Sequence, residues 1–310
     1  MADLGPGDDT DIILFTDSTE GLVEARRVGL TADVRKADFT ELDFGDLCPS
    51  QTLPWAAYYR ICLPRLLGDD YGRILYLDID IYPLSARIFD LFKLDLNGHP
   101  LAGSRALASV YKPKSALQAI DDKRPEKRLN SGVMLIDTDA YERQSIEAKM
   151  MQVAGTLSAL NGNQEIYDRV LDGNWLELSP RFNMNFQFAR SEIASAFPPE
   201  ILHFIGRAKQ WSTPSPAEGH LARTDLAAFL ADTSWSAYFD QSRNSAAQIK
   251  ARLRKIAGIL GLSARHKAPP VRLAQSGLDL RELVRFLKTT EFGDVAQGLT
   301  KPDLDRLPRI

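Results

Sequence analysis

Cysteine is nearly absent from this 310-residue chain: Cys48 and Cys62 are the only two, and they form no CxxC spacing. That removes a disulfide framework and a thiolate zinc site as organising principles, and it fits a reducing cytoplasm. Excess positive charge is lacking too. The 38 Lys and Arg against 41 Asp and Glu leave a formal net charge of -3, so there is no global electrostatic case for nucleic-acid binding. No apolar run reaches the roughly 20 residues that a membrane-spanning helix needs. The first ten residues are acidic with Gly and Pro, unlike the basic-then-apolar start of a secretory signal, and the chain reads as soluble or peripheral. No internal repeat or low-complexity tract is present. What remains is ordinary globular composition, 44% hydrophobic and 25% charged, with length for one large core and an appendage.

Apolar runs alternate between strand-like and helix-like segments. Ile12 to Thr16 and Asp33 to Ala37 read as strands flanking a helical stretch from Glu20 to Leu30. Trp55 to Leu67 carries Ala57, Ile61, Leu63 and Leu67 at helical spacing, with Pro64 as a kink or boundary. Arg73 to Leu77 is the sharpest strand, continuous in apolar character, which predicts a central position covered on both faces. Further strands are expected at Pro100 to Ala102, Gly132 to Ile136, Trp175 to Leu178 and Glu200 to Phe204, with helices at Asp137 to Met151 and Gln164 to Leu171. This alternation predicts an α/β sandwich. The pattern fades beyond Trp211, and from Leu221 the chain looks helical. Ala246 to Leu262 is amphipathic and basic, with Lys250, Arg252, Arg254 and Lys255 interleaved among Ile249, Leu253, Ile256, Ile259 and Leu260. It suits either a helix packed on the core with a solvated basic face or one lying on an anionic membrane surface.

The apolar strand ends in Asp78-Ile79-Asp80. Side chains at i and i+2 of an extended chain point the same way, so the two carboxylates can share one ligand. Ligands of α/β proteins gather at the carboxyl ends of strands, and hard oxygen donors suit Mn²⁺ or Mg²⁺ with phosphate oxygens completing the set. The competing reading is a strand-ending loop with two solvated aspartates. An aspartyl phosphatase of the haloacid dehalogenase type also carries this spacing, but it requires Thr two positions after the second Asp. Tyr82 stands there, and the adjacent pair Asp69 and Asp70 lies upstream of the strand rather than downstream.

Joined to the pair, four further segments carry a resemblance: Tyr58-Tyr59-Arg60, Leu129-Asn130-Ser131-Gly132-Val133-Met134-Leu135-Ile136, Asn163-Gln164-Glu165, and His203-Phe204-Ile205-Gly206-Arg207-Ala208-Lys209-Gln210-Trp211. In this order, over about residues 11 to 211, the chain resembles glycosyltransferase family 8, the retaining group that includes glycogenin and bacterial lipopolysaccharide galactosyl- and glucosyltransferases. The resemblance implies a GT-A type nucleotide-sugar-binding α/β/α sandwich at 11–215 with a helical, partly basic C-terminal extension at 216–310. It implies Mn²⁺, with Mg²⁺ as the alternative, held by Asp78, Asp80 and His203. UDP-galactose or UDP-glucose would be the donor, and a glycan or lipid-linked glycan the acceptor, at the inner face of a bacterial membrane.

Individual residues take roles from the same resemblance, each beside a plainer reading. Gly206 would admit backbone close to phosphate, and Lys209 would place a point charge on the diphosphate, or be merely solvated. Tyr58 and Arg60 would contact the donor, or Arg60 would form a helix-surface salt bridge. Asn130 and Ser131 would hydrogen-bond sugar hydroxyls, or serve only their turn. Ile79 and Arg105 would lie along the donor, and Gln164 closest to the anomeric carbon, with Asn163 and Glu165 beside it. Three departures stand out. The family's acidic DQD is here Asn163-Gln164-Glu165, which bears on sugar preference. Its aspartate after the next strand has no counterpart in Gly103-Ser104-Arg105-Ala106. The chain also enters at what looks like the second strand, so a first strand and uracil-contacting loop are expected to be missing. That leaves a non-catalytic scaffold with impaired donor binding as the alternative to a working transferase.

Overall fold

A computed structural model of the chain describes residues 9–16, 33–36, 56–106, 127–154, 162–189, 192–205, 209, 228, 231 and 280–292. The chain opens with β1 (Ile13–Thr16) and β2 (Asp33–Lys36), then α1 (Ala56–Tyr59) and α2 (Leu63–Leu67). Pro64 sits in the first turn of α2, where its missing amide costs nothing, so the expected boundary falls at this proline. Next come β3 (Arg73–Leu77), β4 (Ile81–Pro83), a 3₁₀ segment (Ala86–Lys93), β5 (Leu101–Arg105) and β6 (Leu129–Asp137). Helices α3 (Thr138–Arg143), α4 (Ile146–Ala154) and α5 (Gly162–Leu171) lead to β7 (Leu176–Leu178) and a 3₁₀ turn (Pro180–Asn183). β8 (Met184–Asn185), a further 3₁₀ turn (Phe186–Phe188), α6 (Glu192–Ala196), β9 (Ile201–His203) and, far along the chain, α7 (Leu280–Thr289) complete the described elements.

The main sheet runs β3-β6-β5-β7, antiparallel except for the parallel β5/β7 pair. β6 is its spine, buried along eight of its nine residues. Met134 and Ile136 face a layer containing Ile61, Tyr141, Met150, Tyr167 and Trp175, while Leu135 faces Leu91, Leu96, Leu178 and Phe182. This alternation is the period-two signature of a sheet covered on both sides. Each such aliphatic side chain contributes about 1.5–3 kcal/mol by leaving water.

β3 differs from its expected position. Among the described residues it pairs with β6 alone, and all five of its residues are half-buried, so it lies at the edge of the described sheet. β1 and β2 form a separate parallel pair, whose Ile13 and Phe15 pack on the same apolar layer as Ile74 and Tyr76. The continuous apolar run therefore reflects cover on both faces, Ile74 and Tyr76 on one and Leu75 and Leu77 on the other. Face cover says nothing about how many strands flank the ladder.

The single helix expected from Asp137 to Met151 is two. Asp137 caps α3 by accepting the Ala140 amide at 2.8 Å, and the chain breaks at Ser145, whose φ of 51° is left-handed, before α4 begins. A second, three-stranded sheet, β4-β9-β8, was not expected. α7 lies within the expected C-terminal extension and buries Leu287 against the cluster of Met184, Phe186 and Phe204, with Phe292 edge-on to Phe197 at 6.1 Å. The expected helices at Glu20 to Leu30 and Ala246 to Leu262 lie outside the described residues. Among the described residues no helix is long and apolar enough to cross a membrane.

Candidate metal and donor site

Where β3 ends, the Asp78 amide donates to the Gly132 carbonyl at 2.8 Å, tying the departing chain to β6. The chain then turns and enters β4, whose Ile81 pairs with His203 of β9. The Phe204 amide donates to the Asp80 carbonyl at 2.9 Å. This short antiparallel ladder is what carries His203 to the aspartates. Its Nε2 lies 3.3 Å from Asp80 Oδ1 and 3.7 Å from Asp78 Oδ2, and one ligand atom from each of the three residues falls within 4.8 Å of the others.

Each member is held from behind. Asn183 Nδ2 donates to the Asn130 carbonyl at 3.2 Å, which turns its Oδ1 toward His203 Nδ1 at 2.8 Å. With the Asn183 oxygen accepting there, Nδ1 carries a proton and Nε2 is the nitrogen turned to the carboxylates, able to hydrogen-bond Asp80 when protonated and to bind a metal when not, the orientation a metal-binding histidine requires. Gly132 leaves room for the ring: a Cβ at that position would stand 2.1 Å from His203 Cε1 and 3.0 Å from Asp78 Oδ2. Asp78 Oδ1 receives Tyr76 Oη at 2.6 Å and Arg60 Nη2 at 3.0 Å. Arg60 also donates through Nη1 to the Ser131 carbonyl at 2.9 Å and lies over the Tyr76 ring at 4.7 Å. Burial works against the Arg60 charge, and Asp78 more than restores it, so the guanidinium pKa is raised. On Asp80, burial would lift the carboxyl, but hydrogen bonds from His203 and Lys209 overcome it and hold the pKa at about 2. Lys209 Nζ sits on Asp80 Oδ2 and also donates to the Phe204 carbonyl at 3.0 Å.

Two hard carboxylates and one borderline imidazole, gathered around a common point, fit a divalent cation of the Mn²⁺ or Mg²⁺ kind. Carboxylates this close need positive charge beside them, and Arg60 and Lys209 already lie against them. A family model described as glycosyl transferase family 8 matches residues 24–214. The chain belongs to glycosyltransferase family 8. Among this glycosyltransferase's relatives, General stress protein A of Bacillus subtilis (strain 168) is 25% identical over 219 residues, covering 64% of this chain and 74% of that protein. Of solved structures, the apo WbbM bifunctional glycosyltransferase superposes with a TM-score of 0.63 at 15% identity, over 77% of this chain and 47% of its own. The galactosyltransferase LgtC, solved with donor and acceptor sugar analogs, gives a TM-score of 0.51 at 22% identity, over 67% of this chain and 80% of its own. At these identities the structural likeness is one of fold: a mixed α/β architecture of the GT-A type.

Around the three candidate ligands, the segments that carry the family 8 resemblance converge to different degrees. Asn130 and Ser131, expected in a turn before the strand, lie within β6; Asn130 turns its Oδ1 onto the Gly132 amide at 3.1 Å, and Ser131 Oγ accepts from Arg60 at 3.3 Å, so both support the bulged start of β6 that shapes the site. Ser131, Gly132 and Val133 have no partner on β5, because the register jumps between Gly103 and Ser104, and this bulge is what pushes the stretch out of the ladder. Gln164 donates from Nε2 to the Leu129 carbonyl at 2.7 Å, which fixes its amide beside the same stretch. Glu165 is buried and bonded to Arg169 Nη2 at 2.7 Å. Arg105 is held by Glu177 through two hydrogen bonds of 2.9 and 2.7 Å, and its guanidinium lies 5.1 Å from the Phe286 ring of α7. Tyr58 is buried in the helix-side core layer. Ile79 is 80% exposed between the two aspartates. The Asn163 side chain and Gly206 lie outside the described residues. Tyr76 and Asn183 were not singled out in the sequence. An aromatic two residues before an aspartate on a strand shares its face and was available as a signal, whereas Asn183 carries none.

Proposed function

We propose that the chain transfers a hexose, galactose or glucose, from its UDP conjugate to a glycan or lipid-linked glycan acceptor, with retention of anomeric configuration and dependence on Mn²⁺. The observation that carries the reading is the convergence of Asp78 and Asp80 from the end of β3 with His203 from β9, with Asn183 aiming the imidazole Nε2 at the carboxylates. Such a cation supplies Lewis acidity to the diphosphate as it departs. Asp78, steadied by Arg60 and Tyr76, and Asp80 hold that positive charge in place. Lys209 brings an ammonium to the same side, suited to the charge that grows on the leaving diphosphate. Gln164, tied through its Nε2, presents an amide oxygen that makes no hydrogen bond among the described residues, suited to positive charge developing at an anomeric carbon. Retention and the UDP donor are carried over from family 8. The description of LgtC as a galactosyltransferase with donor and acceptor sugar analogs supports a sugar donor and a sugar acceptor here.

The test is UDP release from UDP-galactose and UDP-glucose with Mn²⁺ and with EDTA. Turnover should require Mn²⁺ and should vanish in Asp80→Ala. Metal-independent release, or full activity in Asp80→Ala, would overturn the assignment. A well-folded sample that binds no UDP in the presence of Mn²⁺ and releases none from either donor would favour the scaffold reading instead.

A further inference from the structure

The two aspartates of the site are compensated in different ways. Asp78 is met by Arg60, a side chain that is 8% exposed, held to the Ser131 carbonyl and packed over Tyr76. That partner is built into the core and cannot leave without stranding buried groups. Asp80 is met by Lys209, whose side chain is 26% exposed and reaches in from the segment after β9. A lysine on a flexible four-carbon stem can exchange partners at modest cost. Lys209 occupies Asp80 Oδ2, and the other oxygen faces His203, so both oxygens of a proposed metal ligand are engaged by cationic or polar nitrogen groups.

We infer that Lys209 is a resident counter-ion that competes with the divalent cation for Asp80 and is drawn off by the diphosphate of the donor. The inference rests on the proposed metal-dependent function and adds a coupling between its two ligands. Whether the cation takes Oδ2 itself or binds through Oδ1 alone, it binds against the nearby ammonium. A diphosphate supplies the negative charge that lets Lys209 turn away from Asp80, so nucleotide should tighten metal binding through this residue. By linkage, metal tightens nucleotide binding by the same factor. Arg60 takes no part in the exchange, because its charge is spent on Asp78 and on the β6 carbonyl.

Mn²⁺ binding measured by electron paramagnetic resonance, with and without UDP, tests this without any turnover. Lys209→Met should bind Mn²⁺ alone about tenfold more tightly than the wild type. That is the change expected on removing one unit charge roughly 5 Å from a divalent ion at water-like dielectric. The gain in Mn²⁺ affinity on adding UDP should shrink in the same variant, and Lys209→Arg should restore both wild-type values. Lys209→Gln serves the same measurement if Lys209→Met does not fold by thermal melting. Unchanged or weaker Mn²⁺ binding in the charge-removing variants, with wild-type binding still abolished by Asp80→Asn, would overturn the counter-ion role and leave the proposed function standing. No Mn²⁺ uptake by the wild type even with UDP would overturn the metal-dependent function and this inference together.

Discussion

Replacing Gly132 by alanine adds one methyl group at the floor of the site, and the consequence can be worked from the geometry. The new Cβ would lie 2.1 Å from His203 Cε1, 2.7 Å from its Nδ1 and 3.0 Å from Asp78 Oδ2. Ordinary carbon contacts are about 3.5–4.0 Å, so the imidazole must withdraw by roughly 1.5 Å. Asn183 holds the ring on its other nitrogen, which makes withdrawal cost that hydrogen bond as well. Metal–ligand distances tolerate only about 0.2 Å, so His203 ceases to be a usable ligand. We expect Mn²⁺ affinity to fall about 100-fold, equivalent to about 2.7 kcal/mol. Gly132 is not in the left-handed region of φ, so the substitution acts through space alone. Overpacking of this size costs about 1–3 kcal/mol of stability, less than a typical domain's total, and the variant should remain folded. Mn²⁺ titration followed by electron paramagnetic resonance, with melting as the control for folding, measures the effect. A folded Gly132→Ala protein that binds Mn²⁺ as the wild type does would refute the placement of His203 in the ligand set.

Other perturbations probe neighbouring parts of the same reasoning. Arg60→Met removes the partner of Asp78 and leaves a largely buried carboxylate and the Ser131 carbonyl unmatched. It should lower unfolding free energy by about 3 kcal/mol in urea titrations, and a change under 1 kcal/mol would argue against a built-in pair. In protein kept in chelator, Asp80 has a folded pKa of about 2 against an ordinary 3.8. Its stabilisation of about 2 kcal/mol is therefore complete above pH 4 and is lost as pH falls toward 2. The stability difference between wild type and Asp80→Asn should shrink over that window, and a constant difference would contradict the cause given. Cys62 is 1% exposed, and burial pushes its thiol up to about 12. It should resist iodoacetamide at pH 8.5 in native protein and react on unfolding, while rapid native alkylation would place it elsewhere.

The fold was legible where the chain's local pattern and its environment agree. β6 reads as a strand because both of its faces are apolar, and it is the buried spine of the sheet. β3 has the same pattern and lies at the edge of the described sheet, since an apolar run reports cover above and below a strand and carries no information about hydrogen-bonded neighbours. The break at Ser145 escaped notice since no Gly or Pro marks it. β4 and β8 were missed for a related reason: three and two residues are too short for a period to form, and Pro83 ends β4.

The site divides along the same line. By itself the amino-acid sequence determined that Asp78 and Asp80 end an apolar strand and that their spacing puts both carboxylates on one side; His203 and Lys209 joined them only through the resemblance to family 8. The relation between the two aspartates is short-range, set by the two-residue repeat of extended chain. Tertiary structure alone decided the rest. Pairing of Ile81 with His203 brings the imidazole to Asp80, Asn183 aims it, and Gly132 leaves it space. Arg60 meets Asp78, because a guanidinium buried near Ser131 and Tyr76 needs a carboxylate to offset its lost hydration. These contacts join residues from different segments, and their energies depend on distance and desolvation, which no linear spacing encodes.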